Sequence, residues 1–307
     1  MMQTILGSGG GIGIPLAREL MNYTNQIRLV SRNPRKVNDT DELFTADLHD
    51  FNQIDKAIAG SEVVYVTIGF DYNLKVWRKT WPPFMQEVIY SCIRHNARLV
   101  FFDNIYMYSK NSVPFMTEES EVMPPAEKGK VRKIVRDMII NEVEKKNLTA
   151  LIARAADFYG PENRNSMLNM MAQDMMKGKK ARVFGNPDKI HTYTYTPDAA
   201  RATAILGNTP DAFNQEWHVP TTSERLTTNE WIELIAKELN SETKVQKVPV
   251  FMINALGLFI PIMREFPEML YQFEQDYILD SSKFEKRFGI QASAPSEGIK
   301  QMIASLR

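Results

Sequence analysis

The chain has 307 residues, enough for one large domain or two of ordinary size. Its 44% apolar and 24% charged residues are typical of a globular protein. Its 37 basic residues equal its 37 acidic ones, so no overall charge attracts nucleic acid or an anionic membrane. The single cysteine, Cys92, excludes an internal disulfide and a cysteine-rich metal site.

Short apolar runs alternate with longer amphipathic runs through the first half of the chain. Such alternation predicts an α/β fold, with a parallel sheet covered by helices on both faces. Right-handed crossovers make that sheet doubly wound. The predicted strands are Gln3–Leu6, Ile27–Val30, Val63–Thr67, Leu99–Phe102 and Leu148–Ala153, and the predicted helices between them are Ile12–Met21, Asn52–Ala59, Pro83–His95 and Glu127–Lys146.

After Gly160 the pattern becomes mainly helical. Four methionines of Asn165–Lys177 share one helical face. We favour a stripe facing the core, and the alternative is a pliable pocket wall, since methionine adapts to irregular shapes. These methionines are Met167, Met170, Met171 and Met175, and the later predicted helices are Thr228–Leu239, Phe251–Ile260 and Pro295–Leu306.

Val248–Met263 is an apolar run that must be compared with a membrane span. It is shorter than the ~20 apolar residues that a span requires, and Asn254, Gly257 and Pro261 interrupt it. The N-terminus lacks the basic region of a secretory signal. We therefore expect a buried helix under the second half of the fold, no membrane attachment and a cytoplasmic protein.

Five glycines lie within Gly7–Gly13, directly after the first predicted strand. A G-x-G-x-x-G pattern fits neither from Gly7 nor from Gly9, whereas G-x-x-G-x-x-G fits Gly7, Gly10 and Gly13. We expect these three glycines to make the tight turn, to let a pyrophosphate approach, and to let the helix pack on the strand. Free N–H groups at the helix start would hold the phosphates. The predicted dinucleotide loop comprises Gly7, Ser8, Gly10, Gly11, Ile12 and Gly13.

The end of the second strand indicates which dinucleotide binds. Sites selective for NAD place a carboxylate there to hold the adenosine ribose. Here Ile27–Val30 is followed by SRNPRK, which offers a hydroxyl and three cations but no carboxylate. Arginine can hold a 2′-phosphate through two parallel hydrogen bonds. NADP(H) is therefore favoured over NAD(H), with Ser31 and Arg32 as the residues that recognise it; Arg35 and Lys36 could equally form a solvated basic turn.

Five further segments support a family resemblance. Ala46-Asp47-Leu48 is similar to a segment that contacts adenine, and Thr67-Ile68-Gly69 to one that lines the adenine ribose. Leu99–Ser109 (LVFFDNIYMYS) resembles a strand with its active-site loop. Arg154–Pro161 (RAADFYGP) is similar to Arg-Pro-x-Asn-x-Tyr-Gly-Pro, and Thr194–Ala200 resembles a segment of the C-terminal half. Together they resemble the extended and atypical short-chain dehydrogenases/reductases, which are NAD(P)-dependent epimerase/dehydratase-like proteins.

The resemblance covers nearly the whole chain and implies two parts. We expect a dinucleotide-binding Rossmann domain over residues 1–160, to which segments near 188–220 return. Residues 161–307 would form a smaller, mainly helical substrate-binding part. The resemblance also implies a homodimer, in which the helices Pro83–His95 and Glu127–Lys146 pair with those of a second copy.

The catalytic positions depart from the family pattern of a serine or threonine, a Tyr-x-x-x-Lys pair and often an asparagine. In the family the tyrosine exchanges a proton with the substrate oxygen, while the lysine lowers its pKa and holds the nicotinamide ribose. Aligning Tyr108 with the tyrosine of the active-site loop puts Asn104 in the place of the serine. Asparagine can hydrogen-bond a carbonyl or hydroxyl but cannot relay a proton.

The Tyr-x-x-x-Lys helix can be aligned in two ways. In one, Ala126 takes the tyrosine position and Lys130 the lysine position. In the other, Lys128-Gly129 matches the family's frequent Tyr-Gly pair, and Arg132 takes the lysine position. Neither alignment keeps the tyrosine, and the cation survives as Lys130 or Arg132.

Tyr106 and Lys110 form a literal Tyr-x-x-x-Lys match, but they lie in a loop after a strand, so we discount them as the usual pair. Tyr106 could still project over the nicotinamide as a substitute acid, or it could simply line a substrate pocket. The predicted catalytic residues are therefore Asn104, Tyr106, Lys130 and Arg132.

On the substrate side, the candidates to face the bound molecule are Asp157, His191 and Tyr195; for His191 we favour the alternative of a surface position. The four histidines are too scattered for a metal site, so no metal is expected. Trp77–Trp81 is either a lid over the cofactor or the start of a helix with two packing indoles, and we favour the helix.

The resemblance and the residues together predict an NADP(H)-binding oxidoreductase, or a sugar-nucleotide epimerase/dehydratase-like enzyme, that lacks the usual catalytic tyrosine. Its substrate would be a carbonyl compound or a nucleotide sugar, and no nucleic acid or membrane partner is expected. The alternative is a non-catalytic regulatory protein that senses NADP(H).

Overall fold

The computed structural model describes residues 1–307, except the side chain at position 256. Seven parallel strands form the main sheet in the order β10-β6-β5-β4-β1-β2-β3, which reverses between β1 and β4 and confirms the predicted doubly wound α/β fold. The strands are β1 (Gln3–Leu6), β2 (Ile27–Ser31), β3 (Glu42–Thr45), β4 (Val63–Val66), β5 (Arg98–Asp103), β6 (Ala150–Arg154), β7 (Asp157–Tyr159), β8 (Ala181–Val183), β9 (Tyr193–Tyr195), β10 (Glu216–His218) and β11 (Val245–Lys247).

All five predicted strands lie in the main sheet, which also contains β3 and β10. β3 is an edge strand, and Glu42, Leu43 and Thr45 are exposed, so it lacks the buried apolar run of the inner strands. β10 has only three residues, of which Trp217 is the apolar one. Neither strand therefore stands out in the hydrophobic pattern of the sequence.

Helices cover both faces of the main sheet. An apolar cluster joins α2, α3 and α4 to one face, and a second cluster joins α1 and α6 to the other. The helices are α1 (Gly13–Leu20), α2 (Phe51–Ile58), α3 (Leu74–His95), α4 (Glu127–Glu144), α5 (Met167–Met176), α6 (Thr196–Gly207), α7 (Thr228–Leu239), α8 (Val250–Leu256), α9 (Pro261–Glu265), α10 (Ser282–Phe288) and α11 (Pro295–Leu306), with 3-10 helices at Pro210–Ala212 and Pro267–Gln272.

The helix α3 is longer than predicted. It begins at Leu74 because the side chain of Asn73 accepts hydrogen bonds from the backbone N–H groups of the first turn. Trp77 and Trp81 are buried within this helix, which supports the interpretation as packing indoles and not the lid. The lone thiol, Cys92, is fully buried further along the same helix.

The helices α3 and α4 pack side by side. Tyr90, Ile93 and Ile134 on these helices are exposed. The homodimer through this pair of helices stays a prediction.

The second half of the chain contains two small sheets, in which β7 pairs with β9 and β8 pairs with β11. The helices α5, α7 and α11 pack with these strands around a third apolar cluster. By contrast, α6 packs against α1, and β10 pairs with β6 in the main sheet. Two elements of the second half of the chain, α6 and β10, therefore belong to the main sheet and the helices that cover it.

The prediction of one buried helix over Val248–Met263 is wrong. The run forms the short helices α8 and α9, since α8 ends before Gly257 and Pro261 begins a new helix. Many of its apolar side chains are exposed; Phe259, for example, is 84% exposed. Among the residues that the structure describes, no helix is long and apolar enough to cross a membrane.

Candidate functional site

The glycine loop between β1 and α1 is shaped by close backbone contacts. Gly7 has φ +101°, and a Cβ there would lie 2.5 Å from the backbone of Ile68. A Cβ at Gly13 would lie 2.6 Å from the carbonyl oxygen of Gly7. Only glycine therefore fits at positions 7 and 13 without a shift of the backbone. At Gly10 the nearest atom to a Cβ would be 3.8 Å away, so this side of the loop is open.

A cavity of about 400 Å³ lies beside this loop, at the carboxyl ends of β1, β2 and β4. It brings together nine of the residues predicted to bind the cofactor: Gly7, Gly10, Ser31, Arg32, Asp47, Leu48, Thr67, Ile68 and Gly69. We call this space the cofactor cavity.

The other four residues predicted for the cofactor site lie outside the described lining. Ser8 and Ile12 are buried. A Cβ at Gly11 would meet Asn163 at 3.3 Å, and Gly13 packs against the loop itself. These residues shape the loop and the start of α1. The cap of that helix has no side-chain hydrogen bond. The N–H of Ile14 donates to the carbonyl oxygen of Gly10 and Pro15 has no N–H, so in the first turn of α1 the N–H of Gly13 is the group left to an anion.

Asp47 is the carboxylate at the far wall of the cofactor cavity. His49 Nδ1 lies 2.9 Å from its Oδ1. This hydrogen bond is the main reason that the pKa of Asp47 is lowered, so the group is a carboxylate at neutral pH. Asp47 follows β3 and does not stand at the end of β2, where Ser31 and Arg32 lie.

The loop after β5 carries the predicted catalytic residues Asn104 and Tyr106. The side-chain oxygen of Asn104 accepts a hydrogen bond of 3.1 Å from the backbone N–H of Tyr106, which fixes the turn. Tyr106 stacks on Trp77 and lines a second cavity. The side chain of Asn104 therefore shapes the loop, while the side chain of Tyr106 lines the second cavity.

Glycine at position 129 fixes how α4 sits against that loop. A Cβ at Gly129 would lie 2.2 Å from the carbonyl oxygen of Tyr106. This close approach favours the alignment in which Lys128-Gly129 matches the family's Tyr-Gly pair. In that alignment Lys128 takes the position of the family's catalytic tyrosine.

Lys128 is completely buried and held by two carboxylates. Its Nζ donates hydrogen bonds of 2.6 Å to Glu265 and 2.6 Å to Glu268. It also lies 4.8 Å from the centre of the Tyr72 ring. The ammonium group is therefore neutralised by residues of α9 and the 3-10 helix that follows it.

Neither predicted replacement for the family lysine is in the described lining of these two cavities. Lys130 is exposed and forms an ion pair with Glu127. Arg132 is buried, and its Nε donates a hydrogen bond of 2.7 Å to Asp103. Arg154 pairs with the other oxygen of Asp103. Arg132 therefore ties α4 to the ends of β5 and β6, and its position argues against contact with a ribose.

The second cavity has a volume of about 430 Å³ and is lined by Tyr106 and Asp157 together with many apolar side chains. We call it the substrate cavity. Tyr72 lines it, while the preceding residues Phe70 and Asp71 line the cofactor cavity. The short segment between β4 and α3 thus contributes consecutive residues to both cavities.

Of the three residues predicted to face the substrate, Asp157 lines the cavity. His191 lies behind it, with its Nε2 at 2.9 Å from Asp157 Oδ2. Its ring is buried and stacked on Phe273 and Tyr277, so the alternative of a surface histidine is wrong. Tyr195 lies elsewhere and donates a hydrogen bond to a glutamine of α11.

Sequence reasoning did not single out several residues of the substrate cavity. Met167, Met170 and Met171 line it, so the pocket-wall interpretation of the methionine stripe applies to these three, while Met175 is buried in the apolar cluster. The far wall comes from residues 262–273, which carry no recognisable motif. Within the described residues, no cluster of His, Cys, Asp or Glu could hold a metal ion.

The doubly wound sheet, the glycine loop and the two cavities define a dinucleotide-binding protein of the Rossmann type. Residues 4–219 match the model of the NAD dependent epimerase/dehydratase family. The chain therefore belongs to this family. No functionally curated protein matches it in sequence.

Solved structures of low sequence identity share the fold over the full chain. A dTDP-glucose 4,6-dehydratase double mutant from Streptomyces venezuelae, with NAD bound, has TM-score 0.82 and 14% identity, covering 100% of this chain and 97% of that one. UDP-glucose 4-epimerase of Thermus thermophilus, in complex with NAD, gives 0.80 and 16%, with 100% and 99% covered. UDP-glucose 4-epimerase of Thermotoga maritima, with UDP-glucose, gives 0.82 and 17%, with 100% and 99% covered.

Proposed function

We propose that the protein is an NADP(H)-dependent oxidoreductase that uses Tyr106 in place of the missing family tyrosine. The observation that carries this proposal is that a tyrosine from the loop after β5 lines the substrate cavity, while Lys128 of α4 is bound by carboxylates. In the alignment that the close approach at Gly129 favours, Lys128 takes the tyrosine position, and its charge is neutralised by Glu265 and Glu268. Tyr106 brings a phenol into the substrate cavity beside the segment that borders the cofactor cavity.

The preference for NADP(H) over NAD(H) is supported by the end of β2. Ser31 and Arg32 both line the cofactor cavity, where the adenosine ribose of a dinucleotide lies in this type of fold. A guanidinium and a hydroxyl there suit a 2′-phosphate. The solved Streptomyces venezuelae dehydratase and Thermus thermophilus epimerase contain NAD, so the proposed preference rests on Ser31 and Arg32 of this chain.

The bound cofactor would supply or accept the hydride. In the reducing direction the substrate carbonyl carbon gains that hydride, and its oxygen gains a proton from the Tyr106 hydroxyl, which solvent then restores. Burial raises the pKa of Tyr106 well above its ordinary value of 10.0, so the phenol keeps its proton at neutral pH. Asp157, backed by His191, would orient the bound molecule as a hydrogen-bond acceptor.

Tyr106→Phe tests the role of the phenol. We expect a loss of roughly 10²–10⁴-fold in the rate of NADPH oxidation, because the proton donor is removed, and unchanged binding of NADPH. Tyr108→Phe is the matched control, since that hydroxyl is bonded to His218 and does not line the substrate cavity. Equal rates in Tyr106→Phe and the parent protein would reject Tyr106 as the donor.

Arg32→Ala tests the cofactor preference. The dissociation constant of NADPH should rise by roughly 10–100-fold, the value of a charge-assisted hydrogen bond, while that of NADH stays the same. Fluorescence titration with both dinucleotides measures this. Arg35→Ala is the control, because Arg35 lies outside the described lining of the cavity. Parallel losses for both dinucleotides would contradict recognition of the 2′-phosphate.

A regulatory protein that senses NADP(H) is the second candidate. The ion pairs of Lys128 with Glu265 and Glu268 favour it, because they leave no free acid at the family's tyrosine position. Tight NADPH binding without turnover of any carbonyl compound or nucleotide sugar would establish this alternative over the enzyme.

A further inference from the structure

The substrate cavity is predominantly apolar. Five methionines, four phenylalanines and Ile262 contribute to its lining. The methionines of α5 form one wall, and Met263, Phe266 and Phe273 belong to the opposite wall. Its volume of about 430 Å³ lies within the usual range for small-molecule sites. Binding to such a surface is most favourable for a ligand that buries apolar area against it.

The charges of the cavity do not suit a diphosphate. Arg182 is the cation among the described lining residues, and its Nε donates a hydrogen bond of 2.8 Å to Asp174, which also lines the cavity. Asp157 adds a further carboxylate. The described lining thus carries one more negative than positive charge. The diphosphate of a nucleotide sugar would meet one guanidinium in this lining, and Asp174 already engages that group through its Nε.

Lys128 does not change this balance. It lies outside the described lining and is held by Glu265 and Glu268. Releasing it toward a ligand would leave two carboxylates behind without their partner, which is costly for groups as shielded as these.

Tyr72, Tyr106 and Asp157 follow the carboxyl ends of β4, β5 and β6 along the chain and contribute polar groups to the cavity. The other polar side chains of its described lining are Asn163, Asn165, Ser166, Asp174, Arg182 and Gln272. The α5 methionines and the apolar side chains of residues 262–273 supply most of the apolar surface. A ligand that combines a hydrogen-bonding group with an apolar body matches this lining.

We propose that the substrate cavity takes an uncharged, largely apolar aldehyde or ketone and not a nucleotide sugar. The proposal rests on the oxidoreductase function, which supplies the carbonyl end of the ligand. The carbonyl oxygen lies at Tyr106, and the aliphatic or aromatic body packs among the methionines and phenylalanines. Methionine adapts its shape, so the site accepts bodies of several lengths.

Calorimetric titration of the full chain saturated with NADP⁺ tests the ligand class. The probes are 2-decanone, benzylideneacetone and, as the charged competitor, UDP-glucose. We expect both ketones to bind at least about tenfold more tightly than UDP-glucose, since the described lining offers much apolar area and, for a diphosphate, one guanidinium that Asp174 already engages. Tighter binding of UDP-glucose than of either ketone would overturn the proposal.

Met170→Glu locates the binding. Met170 lines the cavity and is already 40% exposed, so the substitution adds a charge without opening the core. It should weaken ketone binding about tenfold or more. Met176→Glu is the control, because Met176 lies on the same helix, is 37% exposed and stands outside the described lining. Equal effects of the two substitutions would contradict binding in this cavity.

NADPH oxidation separates this inference from the proposed function. Ketones that bind, lose affinity in Met170→Glu and yet are not reduced would support the apolar cavity and reject the reductase. Reduction of UDP-linked keto sugars without turnover of the simple ketones would support the reductase and reject the apolar cavity.

Discussion

At the scale of single residues, His218 shows how a buried ring is held in one charge state. Its Nδ1 donates a hydrogen bond of 2.8 Å to the carbonyl oxygen of Asp280, and its Nε2 accepts one of 2.7 Å from the Tyr108 hydroxyl. Both bonds suit the neutral imidazole. Burial lowers the pKa of His218 from 6.5 to about 3.

This depressed pKa predicts a loss of stability in acid. The unfolded chain binds a proton near pH 6.5, while the folded His218 resists protonation down to about pH 3, so its contribution is present above pH 6.5 and lost as the pH falls. The free energy of unfolding should fall by up to about 1.4 kcal/mol per pH unit in that window. Urea denaturation at several pH values measures the slope, which His218→Gln should reduce. An unchanged slope in that variant would reject the assignment.

At the scale of elements, the contact between α4 and the loop after β5 sets the geometry around Tyr106. Gly129→Ala should improve helix propensity by up to about 1 kcal/mol. The added Cβ, however, would lie 2.2 Å from the carbonyl oxygen of Tyr106. We therefore expect a net destabilisation of about 1–3 kcal/mol from overpacking, measured by denaturant unfolding. Gly69→Ala, with no atom near its Cβ, should change stability by less than about 0.5 kcal/mol; similar losses in both would contradict the contact.

The elements differ in how far the sequence determines them. Thr228–Leu239 and Pro295–Leu306 match their predicted bounds, because a capping box at Thr227 and a proline at the first turn mark their starts locally. The predicted helix begins at Pro83, whereas α3 begins at Leu74, after the cap residue Asn73. The burial of 248–263 was mispredicted because an apolar pattern does not say what covers it.

The candidate site shows the same division. The glycine loop and the end of β2 are local patterns, so the residues around the cofactor cavity could be named from sequence. The partnership of Lys128 with Glu265 joins residues 137 positions apart and depends on tertiary packing. No periodicity or motif connects such residues, and the same holds for the far wall of the substrate cavity.

At the scale of the whole molecule, buried charges join the layers that carry the site. Asp103 at the end of β5 binds Arg132 from α4 and Arg154 from β6, and Arg154 continues to Glu216 of β10. Each of these ions depends on its partners for compensation. The substrate cavity, lined from Tyr72 to Phe273, likewise needs both halves of the chain. Neither half alone contains the complete site.

Because Cys92 is buried, the rate at which its thiol reacts with a reagent reports how often the structure around α3 opens. The chain has one thiol, fully buried in α3, and burial raises its pKa. A disulfide reagent can therefore react only when the α3 layer detaches from the sheet. We expect labelling about a thousandfold or more slower than that of free cysteine, and one label per chain in denaturant. Labelling as fast as free cysteine would show that α3 opens readily, whereas its dependence on urea would report how much of the molecule opens with it.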